Sequence, residues 1–389
     1  MEAYALNNQR YYQYLLSAGH LCADFNKGAL SALLPFLIAI HNLDYAAAAS
    51  LVMFSNLIGS IVQPIFGHLA DKKNVPWTMA LGVILAGGGM SITGYVGDFT
   101  GLCIAIVISG IGVSMFHPTA ALLANKSAPK NQQGNSISIF SFGGNLGFTL
   151  GPIITTAAIT IFGIKGTIIL MIPVLIEAAA LLQNNSHFKK IAESESSMSK
   201  TIKATDQVDD WRTFYKICGI IFGRSIIFYG ANTFLALYWI HNLNQSEIVG
   251  NAVLTFFYAL GAFSTLFGGR IADKFGHAKI IRLSFLTILP SILIFYFAAS
   301  PILSIISVIP IGLAIGLCYS PIVVTGQNSL PNHKGLASGI TLGLSVSIGG
   351  IFAPILGTVA NNFGLENVFL IIAGVSLIPL TFAFLLKNK

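Results

Sequence analysis

The chain has 389 residues, a length that would ordinarily make two or three soluble domains, but its composition excludes them. Charged residues make up 9% and hydrophobic residues 54%, with mean hydropathy +0.76. Twenty-one basic and 14 acidic residues cannot dress a 41.4 kDa globule in water, so most of the outer face must meet lipid. In a soluble protein the net charge of +7 would point to nucleic acid. Here the basic residues need only flank a bilayer, and no nucleic-acid partner is expected. Cys22, Cys103, Cys218 and Cys318 each sit in an apolar run without CxxC pairing, so neither a disulfide framework nor a zinc site is expected.

A helix crossing the hydrocarbon needs about 20 residues at 1.5 Å rise. The polar start Met1 to Tyr11 leads into a first, uncleaved span over 12–40. Further spans are expected over 45–70, 76–96, 101–124, 133–162 and 165–183. The one long polar stretch follows, Gln183 to Arg212, and reads as a solvated linker. A second set of spans is expected over 213–240, 247–271, 278–298, 302–325, 336–361 and 366–386. The expected organisation is thus a six-helix bundle over 1–183, a cytoplasmic linker over 184–212 and a second six-helix bundle over 213–389.

Of the 21 Lys and Arg residues, 18 fall in loops or termini on one side. Lys165 alone falls in an opposite-side loop, while Lys27 and Arg224 fall inside spans. The positive-inside rule then places both termini and the linker in the cytoplasm.

The halves repeat. Gly67-His-Leu-Ala-Asp71-Lys72 closes the second span and Gly269-Arg-Ile-Ala-Asp273-Lys274 the eighth, an offset of 202. Gly147-x3-Gly151-Pro152 in the fifth span recurs as Gly349-x3-Ala353-Pro354 in the eleventh at the same offset. Six spans repeated in one orientation is a transporter plan, with the binding site at mid-membrane between the halves. The fold class expected is an all-α membrane protein of twelve transmembrane helices in two pseudo-symmetric bundles.

These motifs resemble the major facilitator superfamily, whose G-x-x-x-D-[RK] signature follows the second span and recurs after the eighth. Within it the chain is similar to the fosmidomycin-resistance family of bacterial drug exporters. That similarity rests on His20-x3-Asp24, Gln63-Pro64-x2-Gly67, Phe116-His117-Pro118, Ser138-Ile-Phe-Ser-Phe-Gly-Gly-Asn145-x-Gly147, Arg224 with Tyr229, and Gln327-x2-Leu-Pro331-x3-Gly335-x2-Ser338-Gly339. It covers nearly all of the chain except the linker. Two glutamates usual in that family are replaced, by Thr119 and Asn328, and Lys27 stands where a neutral residue is expected. The resemblance implies a proton-coupled antiporter in the bacterial inner membrane, a monomer that needs no cofactor.

A charge at the bilayer centre costs roughly 3 kcal/mol, so charges inside spans are functional candidates. His20, Asp24 and Lys27 share one face of the first helix. Counting residues puts Asp24 and Arg224 about 18 and 17 Å deep, and His20 and His117 at roughly 12 and 10 Å, two separate levels. By resemblance all five face a central cavity, and Gln327 joins them as a candidate substrate-binding and proton-coupling residue. The competing readings are a buried pair of Asp24 with Arg224 or Lys27 that only locks helices, and histidines held neutral on backbone carbonyls. Lys27 and Arg224 outnumber Asp24, which favours an anionic or zwitterionic cargo gripped by the fork of Arg224. Glu177 is expected to snorkel.

Gly143, Gly144, Gly147 and Gly151 form a packing stripe on the fifth helix, and Gly147-x3-Gly151-Pro152 resembles the antiporter motif of drug exporters without its trailing glycine pair, here Thr155 and Thr156. The triplet Gly87-Gly88-Gly89 reads as packing too. Gly67, Asp71 and Lys72 are expected in an inner gate, with Asp273 and Lys274 as its weaker counterpart. No metal-ligand set, HExxH, GxSxG or nucleotide loop is present, so an enzyme is not expected. A siderophore or metabolite transporter, including a proton-coupled importer, is the alternative with the same fold.

Overall fold

The computed structural model describes residues 2–73, 75–127, 133–194, 208–298 and 300–387. Within them the chain is helical and contains no strand. The helices are α1 (Glu2–His41), α2 (Tyr45–Lys72), α3 (Trp77–Ser91), α4 (Phe99–Lys126), α5 (Gln133–Phe162), α6 (Met171–Gln183) and α7 (Asn185–Ser194), followed by α8 (Trp211–His241), α9 (Glu247–Phe275), α10 (His277–Tyr296), α11 (Pro301–Leu317), α12 (Tyr319–Ser329), α13 (Lys334–Phe363) and α14 (Leu365–Phe384). Among the described residues, twelve segments are long and apolar enough to span a bilayer. The expected spans match them to within a few residues, and for the eleventh the described span is Leu344–Phe363, the C-terminal part of α13.

Short polar residues set the helix starts. Asp98 accepts from the Gly101 amide (2.7 Å) at the head of α4, and Asp210 from Thr213 (2.9 Å) at the head of α8. Ser300 caps α11, with Pro301 at its first turn. Gly276 and Gly364, at φ 95° and 94°, end α9 and α13 in a conformation that only glycine adopts freely.

Two departures from a simple twelve-helix list matter. The tenth span breaks at Cys318 into α11 and α12, because Pro321 lacks the N–H that would bond the Leu317 carbonyl one turn back. The sixth span opens as a 3-10 segment, Ile164–Leu170, before α6.

The chain divides into two compact units, Met1–Leu33 with Phe54–Ile202, and Leu34–Met53 with Lys203–Lys389. In the first, α3 packs against α4 and α6, and α1 against α5. In the second, α8 packs on α13 and α14, and α11 lies against α9 and α10. Of the apolar windows of α1 and α8, 72% and 89% are buried, against at most 61% in any other span. These are the helices that carry Asp24 and Arg224.

The stretch expected as a solvated linker begins differently. Near its start Asn185–Ser194 form α7, which puts Phe188 (0% exposed) and Ala192 into the core of the first unit while Tyr12 stacks on His187 at 4.1 Å. Phe188, Ile191 and Ala192 recur at i, i+3 and i+4, an apolar stripe hidden among charges. Residues 195–207 of the linker lie outside the described residues.

Candidate functional site

In the first unit the site grows from α1. His20 and Asp24, one helical turn apart, place imidazole Nε2 3.0 Å from carboxylate Oδ2. Lys27 brings its ammonium 3.4 Å from Oδ1 and lies 6.0 Å from the Phe148 ring. From α4, His117 sets Nε2 3.4 Å from the same Oδ1. The two imidazoles meet edge to face with centroids 4.8 Å apart. The expectation of two levels is therefore corrected: side-chain length closes the axial gap, and both histidines reach Asp24.

Both imidazoles are also anchored on main chain. His20 Nδ1 lies 2.8 Å from the Phe140 carbonyl of α5, with its ring stacked on Phe140 at 4.2 Å. His117 Nδ1 lies 2.7 Å from the Val113 carbonyl. A carbonyl only accepts, so each Nδ1 carries a hydrogen, and each ring is held with its Nε2 toward Asp24. The carbonyl anchor and the charged cluster, set against each other as readings of the sequence, coexist. Asp24 is 6% exposed, and its Oδ1 makes no hydrogen bond.

The packing stripe on α5 fits this cluster. A Cβ on Gly147 would meet the Phe25 amide at 2.8 Å, and one on Gly151 the Ala29 amide at 2.7 Å, so α1 and α5 touch backbone to backbone there. Gly144 borders the cluster itself: a Cβ there would stand 2.6 Å from His20 Cε1 and 2.9 Å from Asp24 Oδ2. Pro152 lies inside α5.

In the second unit Arg224 projects from α8. Its Nη2 donates to the Ile315 carbonyl (3.0 Å) just before the break at Cys318, and its guanidinium carbon lies 5.0 Å from the Tyr319 ring centroid and 6.0 Å from that of Phe228. Its Nε is buried without a partner, and no carboxylate pairs with it in this unit among the described residues. Gln327 is half-buried on α12.

The substituted glutamate positions point elsewhere. Thr119 is buried and meets Thr78 of α3 at 3.0 Å, while Asn328 is exposed. Glu177 does not snorkel: it is 7% exposed, with Oε1 buried, unbonded and close to Gly19.

At the gate motifs, Gly67 sits on α2 3.8 Å, at its missing Cβ, from Pro118 of α4, and the side chains of Asp71 and Lys72 lie outside the described residues. Asp273, 74% exposed at its side chain, faces His277 at 3.4 Å, and Lys274 lies over Phe275. At the end of α14, Arg282 donates to the Ala383 and Leu386 carbonyls and Lys216 to that of Leu385, which neutralises a helix C-terminus with cations.

The profile of the major facilitator superfamily matches residues 16–354 and, again, 217–389. The chain belongs to the major facilitator superfamily. The second match starts 201 residues after the first, close to the offset at which the motifs recur. The chain is 26% identical to the fosmidomycin resistance protein of Escherichia coli, over 96% of this chain and 92% of that one. It is 23% identical to a multi-drug resistance efflux pump of Streptococcus pneumoniae, over 89% of each. A solved bacterial homologue of the human lysosomal transporter Spinster, inward-facing and unoccupied, superposes with TM-score 0.80 over 97% of this chain and 96% of that one, at 15% identity. This superfamily member is a multi-pass membrane transporter and not an enzyme.

Proposed function

We propose that this transporter exports an anionic or zwitterionic small molecule, of the phosphonate class, in exchange for protons by alternating access. It works in the bacterial cytoplasmic membrane as a monomer with both termini in the cytoplasm. The observation that carries this reading is Arg224: a membrane-embedded guanidinium without a carboxylate partner in its own unit, its Nε free and its plane beside Tyr319. A half-buried cation inside a span left in that state favours an anion, and a planar fork suits two oxygens of a phosphonate, phosphate or carboxylate. The 26% identity to a fosmidomycin resistance protein agrees, since fosmidomycin is an anionic phosphonate. Gln327 contributes to the same substrate site. Asp24, with Lys27, His20 and His117 around it, is the counter-ion site of the first unit. Asp71 with Gly67 and Lys72 forms the inner gate, and Asp273 with Lys274 its weaker counterpart.

The test is equilibrium binding to the purified transporter of a phosphonate and of its neutral ester. Saturable binding of the phosphonate, lost with the ester, is the expected result. Equal affinity for the two would remove the anion site.

A further inference from the structure

The cluster around Asp24 has a second chemistry. Nε2 of His20, Nε2 of His117 and a carboxylate oxygen of Asp24 all lie within 4.8 Å of one another. Three features make them a ligand set. Each Nδ1 is fixed on a main-chain carbonyl, Phe140 or Val113, the outer-shell contact that holds a ligating histidine in its metal-binding tautomer. The carboxylate is nine-tenths buried, and its Oδ1 makes no hydrogen bond. His20 Nε2 lies 3.0 Å from Oδ2 and His117 Nε2 3.4 Å from Oδ1, so the imidazoles flank the two oxygens of one carboxylate, and a small inward shift of a set spread over 4.8 Å brings it to the edge of about 3.3–3.4 Å that a tetrahedron has when its bonds are 2.0–2.1 Å, as for zinc.

We propose that His20, Asp24 and His117 bind one divalent transition-metal ion of the zinc or cobalt class, linking α1 to α4 within the first unit. Two imidazoles and one carboxylate select this class over magnesium and calcium, which take oxygen ligands. Three protein ligands leave at least one position open to water or an anion. The Lys27 ammonium, 3.4 Å from Oδ1, opposes the ion. Its side chain is 23% exposed and already lies toward Phe148, so occupancy turns it away from Asp24. The site is independent of the cargo and direction of transport.

The experiment titrates the purified, tag-free, full-length transporter with cobalt(II), followed by its visible absorption, and with zinc(II) in competition; magnesium is the control. One equivalent of cobalt should bind, zinc should displace it and magnesium should not. His20→Gln and His117→Gln should each weaken binding at least 10-fold, and Lys27→Met should tighten it several-fold. The metal-free melting temperature of each variant reports its folding, and if a histidine variant fails to fold, the Lys27→Met arm still decides. Absence of saturable one-equivalent binding overturns the proposal. So does undiminished binding in a folded double histidine variant, or an unchanged affinity in Lys27→Met. Because no cargo or gradient is used, failure here leaves the transport reading standing, and the reverse.

Discussion

Arg224 commits one N–H to the main-chain carbonyl of Ile315, 3.0 Å away, where a guanidinium inside a span would ordinarily meet a carboxylate. The carbonyl belongs to the last turn of α11, three residues before the break at Cys318. A dipole offsets only part of the charge, so the guanidinium keeps capacity for an anion.

Replacing that group gives the first prediction. Arg224→Gln should weaken phosphonate binding by about 10- to 100-fold, the value of one charge-assisted hydrogen bond at about 1.5–3 kcal/mol. Arg224→Lys should fall between the two, since it keeps the charge but loses the planar fork. Isothermal titration on the three proteins checks the order. An affinity for Arg224→Gln equal to that of the native protein would remove the assignment.

The α5 glycines separate packing from site chemistry. Gly147→Val forces a side chain against the α1 backbone and should cost about 1–3 kcal/mol, seen as a lowered melting temperature. Gly144→Ala presses instead on the ends of His20 and Asp24, side chains rather than backbone. It should leave the melting temperature within a few degrees of native while reducing transport at least 10-fold. Native transport by Gly144→Ala would show that the cluster tolerates displacement.

The two gate aspartates should differ. Asp273 is largely exposed and faces His277 at 3.4 Å, so Asp273→Asn should cost at most about 1 kcal/mol and leave transport largely intact. Asp71→Asn should abolish transport without preventing membrane insertion. Parallel flux measurements on the two variants decide, and an active Asp71→Asn would end the gate assignment.

At the junction of α8 with the α12 to α13 turn, Asp209 accepts from the Asn332 amide (3.0 Å) and meets His333 Nδ1 (2.7 Å). Desolvation pushes its carboxyl up, but the Asn332 amide and then His333 outweigh it and hold the carboxyl below its usual range. A depressed carboxylate supports the folded state above the ordinary value, about 3.9, and loses that support as pH falls through its own lower value. Hydrogen exchange at the Asn332 amide should therefore stay protected down to about pH 4 and rise below it. Asp209→Asn should show faster exchange already at neutral pH.

Orientation is tested by Ser196→Cys in the charged linker. An impermeant thiol reagent should label it in inverted vesicles and not in intact cells, as 18 of 21 basic residues on one side require.

The spans were readable because crossing a bilayer demands about 20 apolar residues, a property of composition. The repeat was readable because the same motifs recur at one offset. His20 and Asp24 were readable as a pair from helical spacing, but the arrival of His117 depends on how α4 packs beside α1, which no local pattern encodes. The share of α5 was hidden for a further reason: the Phe140 carbonyl is main chain, and Gly144 acts through an absent Cβ. Glu177 looked like a snorkelling residue from its place near a helix end, yet α6 turns it inward. Charge count concealed the apolar stripe of α7, and Pro321 was the available signal for the break at Cys318.

The most direct measurement of the central claim is phosphonate accumulation in inverted vesicles under an imposed pH gradient, with Arg224→Gln in parallel. An acidic lumen should drive uptake in the native protein, collapse of the gradient should abolish it, and Arg224→Gln should show little. Uptake driven by an alkaline lumen, or native uptake by Arg224→Gln, would contradict proton-coupled export through an arginine anion site.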